Sequence, residues 1–412
     1  MRSFTSLFVV CGLGGVASAN AFAIAEQDAT VTGRGNASVA TDADPSAVFY
    51  NPAGVAIGTG INIEVGSSLV FANGAFTPAG STTKTETDGG AQPVPSLFAT
   101  YRINDLVAVG IGFSAPFGLA ISWPDSAPTT DVIKDQSLRT YFISPVVGLN
   151  LDKYVPGLSL GGGIDIVPAT VELRQYIFFG DTQGTAHLGG TATGIGGRVG
   201  AMYAPPAVKQ LSVGVMWRSS VTEDFKGTGD FDIAAPFRSQ LPADGDITTS
   251  VTLPQAITGG VAVRPIDNLE VEVDAIWMNW SKFKTLTINA PTTSGGTTMI
   301  TTTENYKDTT SVRAGVEYRL PEAHLALRAG YIYDPTPVQP GYLTAQLPDA
   351  DRNDVTFGAS YRMGNYAVNA SGLIVLPVSR DTAMTGDVPL HKGTYDVSAF
   401  VASVSLSGRF GE

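Results

Sequence analysis

Three histidines, His187, His324 and His391, are the only imidazoles in the chain, and they stand far apart in sequence. No Gly-x-Ser-x-Gly elbow is present, and no group of His, Cys, Asp and Glu carries metal-ligand spacing. The run Gly194-Ile195-Gly196-Gly197-Arg198 has the glycines of a dinucleotide loop but no surrounding βαβ unit. An enzyme, a metal and a cofactor are therefore not expected. The residues that can act on a ligand are cations and acids set at alternate positions of apolar runs. By that parity Arg102, Arg198, Arg218, Arg313, Arg319, Arg328 and Arg362 share the polar face with Asp165, Glu270, Glu272, Asp274 and Glu317. A guanidinium can hold a ligand carboxylate through two parallel N–H bonds. Most of these arginines should pair with the neighbouring acids. Arg198 and Arg328, which have apolar and glycine-rich neighbours, are the pair expected to reach ligand.

The elements that must position them are strands. Leu269, Val271, Val273, Ala275 and Trp277 alternate with Glu270, Glu272 and Asp274, and the same period of two runs through Val355 to Met363 and Phe400 to Phe410. About fourteen strands follow, near 61–77, 93–103, 106–123, 138–151, 157–177, 193–204, 209–231, 247–264, 269–290, 305–319, 323–338, 352–363, 366–382 and 394–410. Their connections alternate between short turns, such as Asn104-Asp105 and Gly364-Asn365, and long polar loops near 78–92, 124–137, 178–192, 232–246, 291–304, 339–351 and 383–393. Short turns at one rim and long loops at the other are the pattern of an outer-membrane β-barrel. The expected fold is thus all-β: an antiparallel transmembrane barrel over 61–412 with an even strand count.

Composition agrees. The 412 residues are only 15% charged, carry a net charge of −12 and include 47 glycines. Mean hydropathy is +0.13, and the one long uncharged apolar stretch lies at the N-terminus, which excludes helical spans. The acidic balance disfavours nucleic acid, whose phosphates need clustered cations. Arg2, the apolar run Phe4 to Val16 and Ala17-Ser18-Ala19 read as a signal peptide over 1–19, with Ala19-Asn20-Ala21 as an alternative cleavage site. The only cysteine, Cys11, lies inside it, so the exported chain holds no disulfide. Residues 20–60 are small and polar and do not alternate. Fourteen strands enclose more space than side chains fill, so this segment reads as a plug, or hatch, inside the barrel; a disordered periplasmic tail is the alternative.

Several motifs, in series, resemble the FadL/TodX family of outer-membrane transporters. They are Gly33-Arg34-Gly35, Asn51-Pro52-Ala53-Gly54, Pro116-Phe117-Gly118-Leu119, Asp274 to Phe283, Leu327 to Pro337 and Leu347 to Arg352. The resemblance implies a fourteen-stranded barrel with an N-terminal hatch whose signature is Asn51, Pro52, Ala53 and Gly54. It implies uptake of long-chain fatty acids, or of aromatic hydrocarbons or alkanes, across a bacterial outer membrane. A structural or adhesive barrel, such as a phage receptor, is the alternative from another class. The two loops that form the family's outer groove correspond to Phe178, Phe179, Phe237 and Leu241 here. Proline cannot donate to a ladder, so Pro116, Phe117 and Gly118 mark a kink. In the family such a kink opens a side window into the membrane. The route implied is groove, lumen pocket, movement near Asn51 to Gly54, then lateral exit. Expected partners are a hydrophobic small molecule, outer-membrane lipid and lipopolysaccharide, and the barrel-assembly machinery, which reads a terminal aromatic. Here Phe410 is followed by Gly411-Glu412, a departure from that ending.

Overall fold

The computed structural model describes residues 20–41, 43–384 and 390–411. The signal-peptide reading of 1–19, with Cys11, and the final Glu412 lie outside the described residues.

Fourteen antiparallel strands close into a barrel. They are β1 (Ile61–Pro78), β2 (Ala91–Arg102), β3 (Val107–Ser114 and Gly118–Ser122), β4 (Asp135–Thr140 and Phe142–Asn150), β5 (Leu158–Phe179), β6 (Thr182–Tyr203) and β7 (Leu211–Arg218 and Val221–Asp232). The second half comprises β8 (Gly245–Leu253 and Ala256–Ile266), β9 (Leu269–Met278 and Thr285–Pro291), β10 (Thr297–Thr303 and Thr309–Leu320), β11 (Leu325–Asp334), β12 (Arg352–Met363), β13 (Tyr366–Asp381) and β14 (Gly393–Phe410). Closure runs from Ile61↔Phe410 to Pro78↔Gly393. The first and last strands thereby pair with each other, so the sheet has no terminal edge in the bilayer.

Two stretches expected as loops are strand. Residues 178–192 belong to a hairpin in which β5 and β6 pair from Leu158↔Tyr203 to Phe179↔Thr182, turning at Gly180-Asp181 with Gly180 at φ +57°. Residues 291–304 contain a second hairpin, paired from Thr285↔Thr303 to Pro291↔Thr297. The sequence hid them because their apolar face changes sides. On the lower part of β5 the outward residues are Leu160, Ile164 and Ile166, while Ser159 and Asp165 are buried inside. Above Ile166 the inward residues are Val167, Ala169, Val171 and Leu173, and the outward ones are Thr170, Glu172 and Arg174. β6 repeats the exchange between outward Ile195 and outward Thr193. Parity is unbroken; the solvent outside has changed from lipid to water. The hairpin continues past Ile166 for roughly 40 Å of strand, at about 3.3 Å per residue.

Inside the lower barrel lie residues 20–41 and 43–56, with helices α1 (Ala29–Gly33) and α2 (Ala47–Tyr50) and a 3-10 turn at Pro52–Ala56. Asp28 caps α1 by accepting the Val31 N–H at 2.7 Å. Nearly all of these residues are buried.

Candidate functional site

The polar face of β9 holds the N-terminal segment by its backbone. Asp274 Oδ2 accepts the N–H groups of Ser38 (2.8 Å) and Val39 (3.1 Å), and Glu272 Oε1 accepts that of Ala40 (2.7 Å). Arg34 donates to Glu270 at 2.8 Å. Opposite, Asn51 donates to the carbonyl oxygens of Val39 (2.7 Å) and Ala201 (3.3 Å) and accepts the Ala53 N–H (3.1 Å). Here the segment lies directly on the wall. A Cβ on Gly161 would stand 2.2 Å from the Pro52 carbonyl, and one on Gly200 would stand 2.0 Å from Asn51 Oδ1. Asn51, Pro52, Ala53 and Gly54 are thus pressed on the wall at the place where movement is expected.

Arg198 is fully engaged. Nε and Nη2 contact Asp165 Oδ1 at 2.9 and 2.6 Å, Nη1 donates to Val48 O (2.8 Å) and Phe49 O (3.2 Å), and Nη2 donates to Ser144 (3.1 Å). With all its donors committed and no exposure of the side chain, it is a clamp, and the ligand role expected of it is not supported. Arg328 likewise bonds Glu317 and Ser360 and faces the short-turn mouth, on the far side of the segment from the long loops.

The ladder breaks at the third strand. β3 pairs with β4 at Ser114↔Phe142 and again, one register later, at Gly118↔Arg139, leaving Ala115-Pro116-Phe117 outside either ladder. β2 pairs with β3 only from Leu97↔Phe113 downward, so Ala91–Ser96 has a ladder to β1 alone. That free stretch contains Pro93 and Pro95, which lack the N–H a neighbour would need. The N-terminal segment substitutes for the missing strand. Ile24 N–H donates to Pro116 O (2.8 Å), Gly118 N–H donates to Phe22 O (2.9 Å), and the Gln27 amide both donates to Ala115 O (3.1 Å) and accepts its N–H (2.8 Å).

Phe22 then divides two cavities. Above it an apolar cavity of about 110 Å³ opens among Leu138, Val171, Leu173, Leu188, Phe225 and Ile288, with Phe283 and Tyr306 at its floor. Among the described residues no Lys or Arg lines it; Glu172 and Glu304 do, and desolvation raises the Glu304 carboxyl to about 7 against a smaller opposing hydrogen bond from Tyr306. Phe22 packs edge-on to Trp280 at 4.8 Å, and to Phe283 and Phe117 at 5.9 and 6.1 Å. Below it a cavity of about 80 Å³ adjoins Pro116 and is lined by Arg218. This guanidinium is buried and lies over the rings of Phe117 (5.0 Å), Phe142 (5.7 Å) and Phe49 (5.9 Å). It makes no ion pair or hydrogen bond among the described residues, and its Nε is buried without an acceptor.

The expected groove residues sit elsewhere. Phe179 and Phe237 stack at 5.0 Å, tying the hairpin tip to the loop after β7, while Phe178 is exposed and Leu241 half-buried beside that loop's turn. None of the four lines the apolar cavity. Sequence reasoning placed Arg218 inward but did not single it out, although its neighbours Met216 and Trp217 are apolar. It missed Pro93 and Pro95, whose alternate spacing was the available signal, and Glu304.

Comparison with known proteins follows from this geometry. Residues 10–409 match the model of the outer membrane protein transport protein family OMPP1/FadL/TodX. A long-chain fatty acid transport protein of Salmonella typhi is 24% identical over 298 residues, covering 65% of this chain and 66% of that protein. Among solved structures, a Pseudomonas aeruginosa FadL homologue superposes with a TM-score of 0.84 at 19% identity, covering 95% of this chain and 100% of the other. The Ralstonia pickettii toluene transporter TbuX gives 0.73 at 19% identity, covering 93% and 98%.

Proposed function

Since the chain belongs to the OMPP1/FadL/TodX family of outer-membrane transport proteins, we propose that it takes up long-chain fatty acids. The observation that carries this reading is Arg218, a buried cation that makes no ion pair or hydrogen bond among the described residues, in the small cavity below the apolar one. An acyl tail gains about 0.8 kcal/mol per methylene moved from water into the upper cavity. The carboxylate would then complete the bidentate pair that Arg218 lacks. Movement of Phe22 to Gln27, rather than of Asn51 to Gly54, would break the bonds to Ala115, Pro116 and Gly118 and open the wall between β2 and β3. The chain performs partition and passage, with no bond made or broken.

A second reading, uptake of monoaromatic hydrocarbons, is favoured by the ring of Phe22, Phe117, Trp280, Phe283 and Tyr306 between the cavities. One experiment separates the two: uptake of labelled oleate and labelled toluene by cells lacking their own transporter, carrying wild type or Arg218→Leu. Fatty-acid transport predicts at least tenfold loss of oleate uptake in the variant with toluene unaffected. Toluene uptake alone, with oleate no faster than in empty cells, would assign the protein to the hydrocarbon reading.

A further inference from the structure

The first described residues are fastened inside the barrel. Asn20 is 2% exposed and Ala21 is fully buried. The Asn20 side chain accepts hydrogen bonds from Trp280 Nε1 and from the Thr309 hydroxyl (2.9 Å), and donates to Met278 Sδ (3.0 Å). The Ala21 N–H donates to Asp349 Oδ2 (3.2 Å). Ala21 is also held at φ +58°, a left-handed conformation that an alanine keeps only when its surroundings impose it. Trp280 is fully buried, so loss of Asn20 would leave its N–H without that acceptor. Of the two expected cleavage positions, the one after Ala21 removes these bonds and the one after Ala19 keeps them.

Asn20 also stands beside two acids with bonding capacity to spare. Thr309, its partner, and Ser311 are successive inward residues of β10, about 6.6 Å apart. Ser311 and Asp334 come next after Val312↔Tyr333, the end of the ladder between β10 and β11. Asp354 lies on β12 opposite Ile332. Asn20, Asp334 and Asp354 line one cavity, the small one below Phe22. Asp334 Oδ1 and Asp354 Oδ1 are buried and have no hydrogen-bond partner among the described residues. Arg313 and Arg352 line the same cavity, and Arg352 reaches the other Asp354 oxygen, Oδ2, at 3.3 Å.

We propose that the exported chain is cut between Ala19 and Asn20, and that the α-ammonium this releases is the buried partner of Asp334 and Asp354. A signal peptidase adds one water across the peptide bond, leaving a carboxylate on Ala19 and an amine on Asn20 that is protonated at pH 7. The uncut chain offers a single N–H at that atom. An ammonium offers three donors and a positive charge, which a buried carboxylate oxygen accepts strongly. Export therefore completes the interior: the new chain end ties Asn20 to β11 and β12, beside the bonds that already tie it to Met278, Trp280 and Thr309.

The first test is the mass of the N-terminal peptide of the full chain purified from outer membranes. It should begin at Asn20; a chain that begins at Phe22, or that keeps Ala19, would overturn the assignment. The second is acylation of the α-amine by a succinimidyl ester at pH 7.5, read on the same peptide. Only the unprotonated amine reacts, and neighbouring carboxylates hold the proton on. The folded chain should react at least tenfold more slowly than the chain in urea. Asp334→Asn or Asp354→Asn should speed the folded reaction at least fivefold, whereas Asp334→Glu, which keeps the charge, should leave it slow. Lys153, on an exposed short turn, should label equally in every chain, and heat-modifiable electrophoretic mobility verifies that each variant is folded. An amine protected equally in wild type and both asparagine variants is buried without pairing, and that result would reject the ion pair. So would an amine as reactive in the folded chain as in urea. Neither result touches the transport reading, which rests on Arg218.

Discussion

The lower and upper halves of the barrel are built from the same strands with opposite faces. In the lower half Ile164 and Ile166 meet lipid while Asp165 and Arg198 form a buried ion pair within; in the upper half Thr170 and Glu172 meet water while Val171 and Leu173 line a cavity. The strand period of two is the same in both, so the difference lies in the solvent each face meets. The lower half can place ions inward because lipid accepts its apolar side chains. The upper half, surrounded by water, must turn apolar side chains inward, and a hollow apolar interior is what a hydrophobic ligand partitions into. One half fixes the N-terminal segment by charge, and the other, in the proposed function, captures by burial.

The largest effect expected from breaking this division is in the clamp. Asp165→Leu leaves Arg198 buried without its carboxylate, which costs about 3–5 kcal/mol; urea unfolding followed by electrophoretic mobility should show it, and a change under 1 kcal/mol would mean that Asp165 is dispensable. The next compares two sites on one face of β5. Ile164→Arg puts a charge in lipid and should cost about 2–4 kcal/mol, whereas Thr170→Arg, six residues higher, should cost about 0–1 kcal/mol. Equal costs would place the membrane boundary somewhere other than between Ile166 and Thr170.

A third prediction concerns pH. Glu304 sits in the apolar cavity with its carboxyl raised to about 7, so it is neutral below that value and charged above it. Charge in the cavity opposes an apolar guest. Binding of an uncharged probe such as dodecanol should therefore weaken several-fold between pH 6 and pH 8, and Glu304→Gln should flatten the profile. The sign for stability is the same: because the folded pKa lies above the unfolded value of 4.5, the folded state is penalised as pH rises from about 4.5 to 7, and the penalty is fully present above 7. A profile that is already flat in wild type would remove Glu304 from the cavity's chemistry. The smallest effect belongs to the tip: Phe237→Ala loses a ring pair worth about 0.5–1.5 kcal/mol and should lower oleate uptake by less than twofold. A tenfold loss would restore the tip aromatics as the capture site.

Much of the lower barrel was legible in the sequence, because alternation such as Leu269 to Trp277 has only one membrane-compatible reading. A closed barrel with an even count of about fourteen strands followed from the short-turn, long-loop rhythm. The upper barrel was not legible, because Thr182 to Thr193 pairs small inward residues with polar outward ones and has the composition of a loop. The inward position of Glu272 and Asp274 could be read, but not that they would receive backbone N–H groups of residues 38–40. That contact joins positions more than two hundred residues apart. Pro116 announced its kink through the missing N–H, whereas which inward arginine is already neutralised could not be read, because Arg198 and Arg218 have the same parity and similar neighbours. Only the three-dimensional placement of Asp165 decides which of them is neutralised.

The division of labour is tested most directly by affinity against chain length. Saturated fatty acids of increasing length would be titrated into wild type, Val171→Asp and Arg218→Leu. In wild type each added methylene should tighten binding about fourfold, the equivalent of about 0.8 kcal/mol, until the cavity is full. Val171→Asp should flatten that slope, and Arg218→Leu should keep the slope while weakening every length by the same factor. A slope lost in Arg218→Leu, or unchanged in Val171→Asp, would contradict the assignment of tail to the upper barrel and head group to the lower.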